Sequence, residues 1–396
     1  MKKKIVILYP YNTGEKAFSG GVPKVAISNI IAVQNSGYVP YLVLPLENQG
    51  LITFVNEHHP YCNVIPVNFR SLSLFSDTKG IKRYINIIKN IIGYYRGKRE
   101  LKKAIRSIAP DIIHFHEIIN FPLLNVFSNA KIILHLHSYR FTGYEKMLQI
   151  ILKRVNKHCD FIISPTKSIL EALGNSIKVP SLVIDTPYLE LQETLLSEDN
   201  KALKDELISL KTNDKVIFSF VGRICSIKRI DHFIEAIHNI DHASKSKIIF
   251  SIIGGTNTSG DIEYKKYLTS KIKEFGLENV VRFYGYVNPI EIILPFVDYG
   301  VILSESEAVP MIGIEYMRFN IPIIGYNAPG ISDFLINNKN GYLLENGEVQ
   351  NLTQKLKDIL NDNKRNMDFE ESIPEIFKRH TIVEFTKAIR NLYIQL

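Results

Sequence analysis

Cysteine is scarce in this chain: there are three, Cys62, Cys159 and Cys225. An odd number at such wide spacing excludes a disulfide framework and gives no cysteine pattern for zinc. No apolar run approaches the roughly 18 residues a membrane-spanning helix needs. The N-terminus, Met1-Lys2-Lys3-Lys4 followed by Ile5 to Leu8, has too short an apolar part for a signal peptide and no small-residue cleavage site. It reads as a first strand, with the cytoplasm as the natural compartment. A Gly-x-Gly-x-x-Gly fingerprint is also missing from the first loop, and no acidic residue follows the second strand in the usual place, so a nicotinamide dinucleotide is poorly supported.

What is present is ordinary for a globular protein, at 45% hydrophobic and 22% charged residues. A length of 396 residues suits two domains better than one core. The net charge of +8 is concentrated. Between Lys79 and Arg106 lie ten Lys/Arg and a single acidic residue, Glu100, interleaved with Ile81, Tyr84, Ile85, Ile87, Ile88, Ile91, Ile92, Tyr94 and Tyr95. A basic segment with an apolar face suits an anionic membrane surface; a pair of core-packed helices with a solvated basic face explains it equally well. No nucleic-acid motif accompanies the charge.

Apolar runs alternate with helical periodicity along the whole chain. Strands are expected at Ile5–Leu8, Tyr41–Leu44, Val64–Val67, Asp111–Phe115, Lys131–Leu136, Phe161–Ser164 and Ser181–Ile184. A loop ending in Gly20-Gly21-Val22-Pro23 precedes a helix from Lys24 to Gln34. Two strands end in histidines, His114-Phe115-His116 and His135-Leu136-His137. Ligands of open α/β sheets bind beyond the carboxyl ends of strands, so His116 and His137 stand where chemistry is done, although a lone histidine there is more often structural. A polar stretch from Glu190 to Lys215 breaks the alternation and marks a domain boundary. Strands then resume at Val216–Val221, Ile248–Ile253, Val280–Phe283, Gly300–Leu303, Ile321–Ile324 and Tyr342–Leu344.

The second half organises around Ser304 to Met317. An apolar strand leads into a polar turn with Pro310, and Ile312, Glu315, Tyr316 and Phe319 recur at helical spacing. A helix start offers unpaired N–H groups to an anion, whereas Glu307 and Glu315 are acceptors suited to sugar hydroxyls. Taken alone, such a pair is more often a helix cap and a solvated helix residue. Upstream, Arg223 and Lys228 flank the end of another strand near a helix start, which makes a clamp for a diphosphate.

Gly222-Arg223 and Lys228 with four residues between, Glu307 and Glu315 with seven residues between, Pro322, Pro329-Gly330 with Asp333, and Asn340-Gly341 follow in one order. With Gly20-Gly21-Val22 and Pro110-Asp111-Ile112-Ile113-His114-Phe115-His116, this resembles the retaining glycosyltransferases of family 4. The resemblance implies an α/β GT-B fold, two Rossmann-like domains facing across a cleft. Residues 1–190 would form the acceptor side and 191–375 the nucleotide-sugar domain, with 376–396 a helix crossing back to the first domain. Arg223 and Lys228 would hold the diphosphate, Glu315 the ribose and Glu307 the transferred sugar. Gly20, Gly21, Met311 and Ile312 complete the donor set, and His137 matches a histidine near the reaction centre.

The implied reaction moves a sugar from a nucleotide diphosphate to a glycan or lipid-linked acceptor in cell-surface polysaccharide or glycolipid synthesis. It is carried out in the cytoplasm or on the inner membrane face, and uses no cofactor. No Asp-x-Asp pair occurs, and no metal is expected. A GT-B sugar-nucleotide epimerase and a non-catalytic partner of another transferase are the alternatives. Departures from the family pattern are Ala308-Val309-Pro310 for Gly-Phe-Gly, Arg229 for a glycine after the lysine, and Asp185-Thr186-Pro187 for Asn-Gly.

Overall fold

Long apolar runs with no polar alternation build parallel sheets buried on both faces, and the inner strands here are of that kind. A computed structural model describes residues 2–11, 21–69, 81–116, 129–137, 145–190, 198–212, 215–361 and 369–396, with backbone alone at 81–94, 145–147, 175, 198–200 and 212. The chain divides into two compact units, Met1–Leu189 with Thr381–Leu396, and Glu190–His380.

The first unit runs β1 (Lys4–Leu8), α1 (Gly21–Asn35), β2 (Val39–Pro45), α2 (Gln49–His58), β3 (Asn63–Val67), α3 (Ile81–Ile108), β4 (Ile112–His116), β5 (Lys131–His135), α4 (Glu145–His158), β6 (Phe161–Ser164), α5 (Lys167–Leu173) and β7 (Ser181–Val183). Its strands form one sheet in the order β3-β2-β1-β4-β5-β6-β7, with every pairing parallel. The order reverses between β1 and β4, which opens a crevice at their carboxyl ends.

Two expectations change here. Helix α1 begins at Gly21 rather than Lys24, so Gly21 is its first residue; Pro23 sits in the first turn, where a missing N–H costs nothing. Gly20 lies outside the described residues. The basic segment is one continuous helix, α3, and not a helix pair. Its Gly97 marks a close crossing instead of a break: a Cβ there would stand 2.4 Å from Phe69 Cα.

The second unit runs α6 (Glu198–Thr212), β8 (Val216–Val221), α7 (Ile230–His238), α8 (His242–Lys245), β9 (Ile248–Ile253), α9 (Ser259–Glu274), β10 (Val281–Gly285), β11 (Tyr299–Ile302), α10 (Met311–Arg318), β12 (Ile323–Tyr326), β13 (Gly341–Leu344), α11 (Val349–Asn361) and α12 (Ser372–Phe377). The sheet order is β10-β9-β8-β11-β12-β13, again parallel throughout. Its core stacks Phe218, Phe233 and Phe250 between sheet and helix, the last two rings 4.3 Å apart. The reversal lies between β8 and β11, so the loops after these two strands are neighbours.

The last helix, α13 (Ile382–Gln395), is capped by Thr381, whose hydroxyl accepts from Glu384 N. Phe385, Ile389, Leu392 and Tyr393 recur on one face and are buried, and that face lies against α1 in the first unit. No helix among the described residues is long and apolar enough to cross a membrane.

Candidate functional site

In the second unit, the loops after β8 and β11 bring together residues 79 apart in sequence. The Lys228 ammonium donates to Glu307 Oε1, and the hydroxyl of buried Ser304 donates to the same oxygen at 2.5 Å. Both partners of the ion pair are largely enclosed, with side chains 23% and 14% exposed. Glu307 does not cap α10, whose N-cap is Pro310. The backbone of Glu307 is held as firmly, its N–H donating to Pro329 O at 2.9 Å. Gly330 makes that approach possible, since a Cβ at its φ of +80° would stand 1.7 Å from the Glu307 carbonyl oxygen.

Glu315 is buried at 6% exposure, so it is not a solvated helix residue. It lies one turn into α10, behind the helix start formed by half-buried Met311 and Ile312. Two contacts fix this helix: Tyr316 donates its hydroxyl to Ser219 O of β8 at 2.7 Å, and the fully buried Asn340 amide reaches Phe334 O at 2.9 Å and Met317 Sδ at 3.2 Å. Asn340 Oδ1 also accepts from Ile336 N at 2.7 Å. Asn340 thus ties α10 to the turn before β13.

Arg223 leaves the end of β8 with its side chain 44% exposed, 3.9 Å from Asp261. Asp261 closes a capping box with Thr258 at the start of α9. Burial works against its charge, but the N–H groups of Asn257 and Thr258 and the Arg223 cation outweigh it and hold the carboxyl below its usual range. Arg229, where the family favours glycine, takes the left-handed conformation at φ 49°, and its guanidinium reaches Asn346 and Glu305. That conformation is free for glycine and costs other residues about 1–2 kcal/mol. Ser304 and Asp261 were not singled out from the sequence; the capping pattern Thr258-x-x-Asp261 was the available signal.

In the first unit His116 and His137 are joined by two further histidines. Period-two alternation puts His114 and His116 on one face of β4, and the register sets His116 beside His135 of β5. His114 Nε2 meets His135 Nδ1 at 2.9 Å, and His116 Nδ1 meets His137 Nε2 at 2.7 Å. The His116 and His137 rings stack at 4.9 Å and 7°. Tyr393 of α13 closes the chain, its hydroxyl 2.8 Å from His114 Nδ1. Burial first, and then neighbouring imidazoles, push His114, His116 and His135 well below the ordinary histidine range. Burial alone takes His137 to about 3. All four are therefore neutral at physiological pH, and His137 acts as a hydrogen-bonding group rather than a cation.

Two family models match this chain: "Glycosyltransferase Family 4" over residues 70–185 and "Glycosyl transferases group 1" over 204–375. An Escherichia coli UDP-Gal:α-D-GlcNAc-diphosphoundecaprenol α-1,3-galactosyltransferase is 22% identical over 388 residues, covering 95% of this chain and 94% of its own. The N-acetyl-α-D-glucosaminyl L-malate synthase of Bacillus anthracis is 23% identical, over 70% of this chain and 74% of its own. Among solved structures, Anabaena HepE in complex with UDP superposes with a TM-score of 0.73 at 16% identity, over 99% of this chain and all of its own. That likeness extends over both parallel-sheet units and shows the GT-B fold. The chain is a glycosyltransferase and belongs to the group 1, family 4 glycosyltransferases.

Proposed function

We propose that this enzyme transfers a sugar from a uridine diphosphate donor to a lipid-linked glycan, with retention of anomeric configuration. The observation that carries the donor half is the Lys228–Glu307 pair in the loops at the β8/β11 reversal, ahead of the start of α10, with Arg223 on the same loop as Lys228. Negative charge grows on the departing diphosphate while the sugar passes through an oxocarbenium-like state. Lys228 and Arg223 supply cationic donors for that charge, and the N–H groups opening α10 supply a dipole. Glu315, held rigid inside the unit, is assigned the ribose hydroxyls. Glu307 is assigned the hydroxyls of the transferred sugar, with Ser304 and Lys228 fixing its rotamer; it positions the sugar and is not a nucleophile. His137 keeps the sugar-side role that the family resemblance gives it, as a neutral donor or acceptor. UDP is favoured because the HepE complex contains it and the Escherichia coli relative is named for a UDP-sugar.

The acceptor half rests on the first unit's surface. Burial, then the Arg154 and Lys102 cations, pull the Lys98 ammonium below its ordinary range, so Arg154 of α4 lies within electrostatic reach of Lys98 of α3. Arg96, Arg99, Lys102, Lys103, Lys153 and Arg154 are exposed around Tyr95 and Ile150, themselves 63% and 56% exposed. Such a face suits the anionic inner leaflet where a diphospholipid acceptor resides.

Incubation with a panel of UDP-, GDP-, ADP- and CDP-sugars tests the donor, read as slow hydrolysis without acceptor. UDP release from one UDP-sugar alone supports the reading; no release from any, with nucleotide affinity unchanged in Arg223→Ala, sinks it. Isomerised sugar nucleotide as the product would favour the epimerase instead. Transfer to malate but not to a lipid diphosphate would replace the acceptor half only.

A further inference from the structure

The first unit contains three buried histidines to which the proposed transfer assigns no role. His114, His116 and His135 are fully enclosed, and one ring nitrogen from each lies within 4.8 Å of the other two. Their ring centroids are 5.1, 5.1 and 5.3 Å apart. His116 Nε2 is buried with no hydrogen-bond partner among the described residues. Leaving a ring nitrogen unpaired in a protein interior is costly, so a site that keeps one has an unfilled role for it.

The remaining nitrogens are arranged as in metal sites. A metal-bound histidine has its second ring nitrogen fixed by an outer partner, which sets the tautomer and the ring orientation. His114 Nδ1 is fixed by the Tyr393 hydroxyl and His116 Nδ1 by His137, so the Nε2 atom of each is the one left to act as a ligand. His114 Nε2 and His135 Nδ1 share one proton across 2.9 Å, the position a cation would take over once His135 carries its proton on Nε2.

We propose that His114 Nε2, His116 Nε2 and His135 Nδ1 form a binding site for one divalent cation of the zinc class, with Tyr393 and His137 as its outer partners. Three neutral imidazoles select zinc, nickel, cobalt or copper over magnesium and calcium, which take oxygen ligands. Zinc–nitrogen bonds of about 2.0–2.1 Å set tetrahedral ligand nitrogens roughly 3.3 Å apart, within reach of side-chain rotation from the observed spacing. The ion would bridge β4 to β5 and, through Tyr393, hold α13 on the first unit, so its role is structural. The absence of a cysteine pattern for zinc has no bearing on it, because these ligands meet only through strand pairing.

The test uses full-length, tag-free protein stripped with chelator and titrated with Co²⁺, then with Zn²⁺. The expected result is one equivalent of Co²⁺ with the strong visible bands of a tetrahedral site, displaced by one equivalent of Zn²⁺, with a rise in Tm. His116→Gln and His135→Gln should each lose that spectrum, while His58→Gln and His59→Gln, at the end of α2, should keep it. Wild-type protein that takes up no stoichiometric Co²⁺ would overturn the site whatever the variants do. Uptake with only the weak octahedral spectrum, or full uptake by folded His116→Gln, would overturn it as well.

Discussion

Lys228, in the turn after β8, is ion-paired with Glu307 in the loop after β11, and Ser304 shares the same carboxylate oxygen. The cation assigned to the diphosphate and the carboxylate assigned to the sugar thus hold each other before any donor arrives. A lysine ammonium has three donors, so one can stay on Glu307 while the others turn to phosphate.

Lys228→Ala should lower UDP affinity about 10- to 150-fold, the equivalent of ~1.5–3 kcal/mol of charge-assisted hydrogen bonding. It also strands a largely enclosed carboxylate, so Tm should fall. Adding Glu307→Gln should recover part of the Tm but none of the UDP affinity. Calorimetric titration and thermal unfolding of the two single variants and the double variant check this; strictly additive Tm losses would mean the pair contributes nothing.

Gly330→Ala should destabilise the second unit by about 2–4 kcal/mol, because a positive φ and a backbone clash act together. The Cβ would press on the Glu307 carbonyl, so the sugar-positioning loop must move. The expected readouts are a lower denaturant midpoint and a fall in kcat beyond the fall in UDP affinity. A wild-type midpoint would refute the close approach.

Tyr393→Phe removes the hydroxyl that pairs with His114 Nδ1 while leaving the aromatic packing against Tyr38 in place. The cost should be about 1–2 kcal/mol, set by the buried ring nitrogen left without its partner. Protease sensitivity near residue 381 should rise as α13 loosens. If it stays unchanged, packing alone anchors the helix.

Acid should act on the first unit through its histidines in the metal-free protein. Their folded pKa values lie below the unfolded value of about 6.5, so between the two only the unfolded chain takes up protons. Stability from this source is complete above about pH 6.5 and is lost as pH falls toward the folded pKa, about 3 for His137. NMR should show four histidine ring signals that do not shift between pH 8 and 5, while unfolding moves to lower temperature over the same range. Titration of the His114, His116 and His135 rings near pH 6.5 would contradict their burial.

Most of the fold was legible because parallel strands buried on both faces are written as apolar runs. Ile248 to Ile253 can be little else, and the observed bounds differ from the expected ones by a residue or two. The segment 81–108 misled because glycines at 93 and 97 look like breaks in a helix; only the Phe69 crossing shows why Gly97 is tolerated. Glu315, taken alone, reads as a solvated helix residue and is buried, since one helical position does not reveal which face a helix turns inward.

By itself, the sequence determined the parallel α/β class, the family, and which cations and carboxylates to examine, all of which follow from residue type and local spacing. The tertiary structure decided which of these meet. Strand order set the β8 and β11 loops side by side, so that Lys228 holds Glu307. Strand register set His116 beside His135, and the return of α13 added Tyr393 to the same chain of rings. Order and register are properties of long-range pairing, where a slip of one residue turns every side chain to the other face, and no local pattern encodes them.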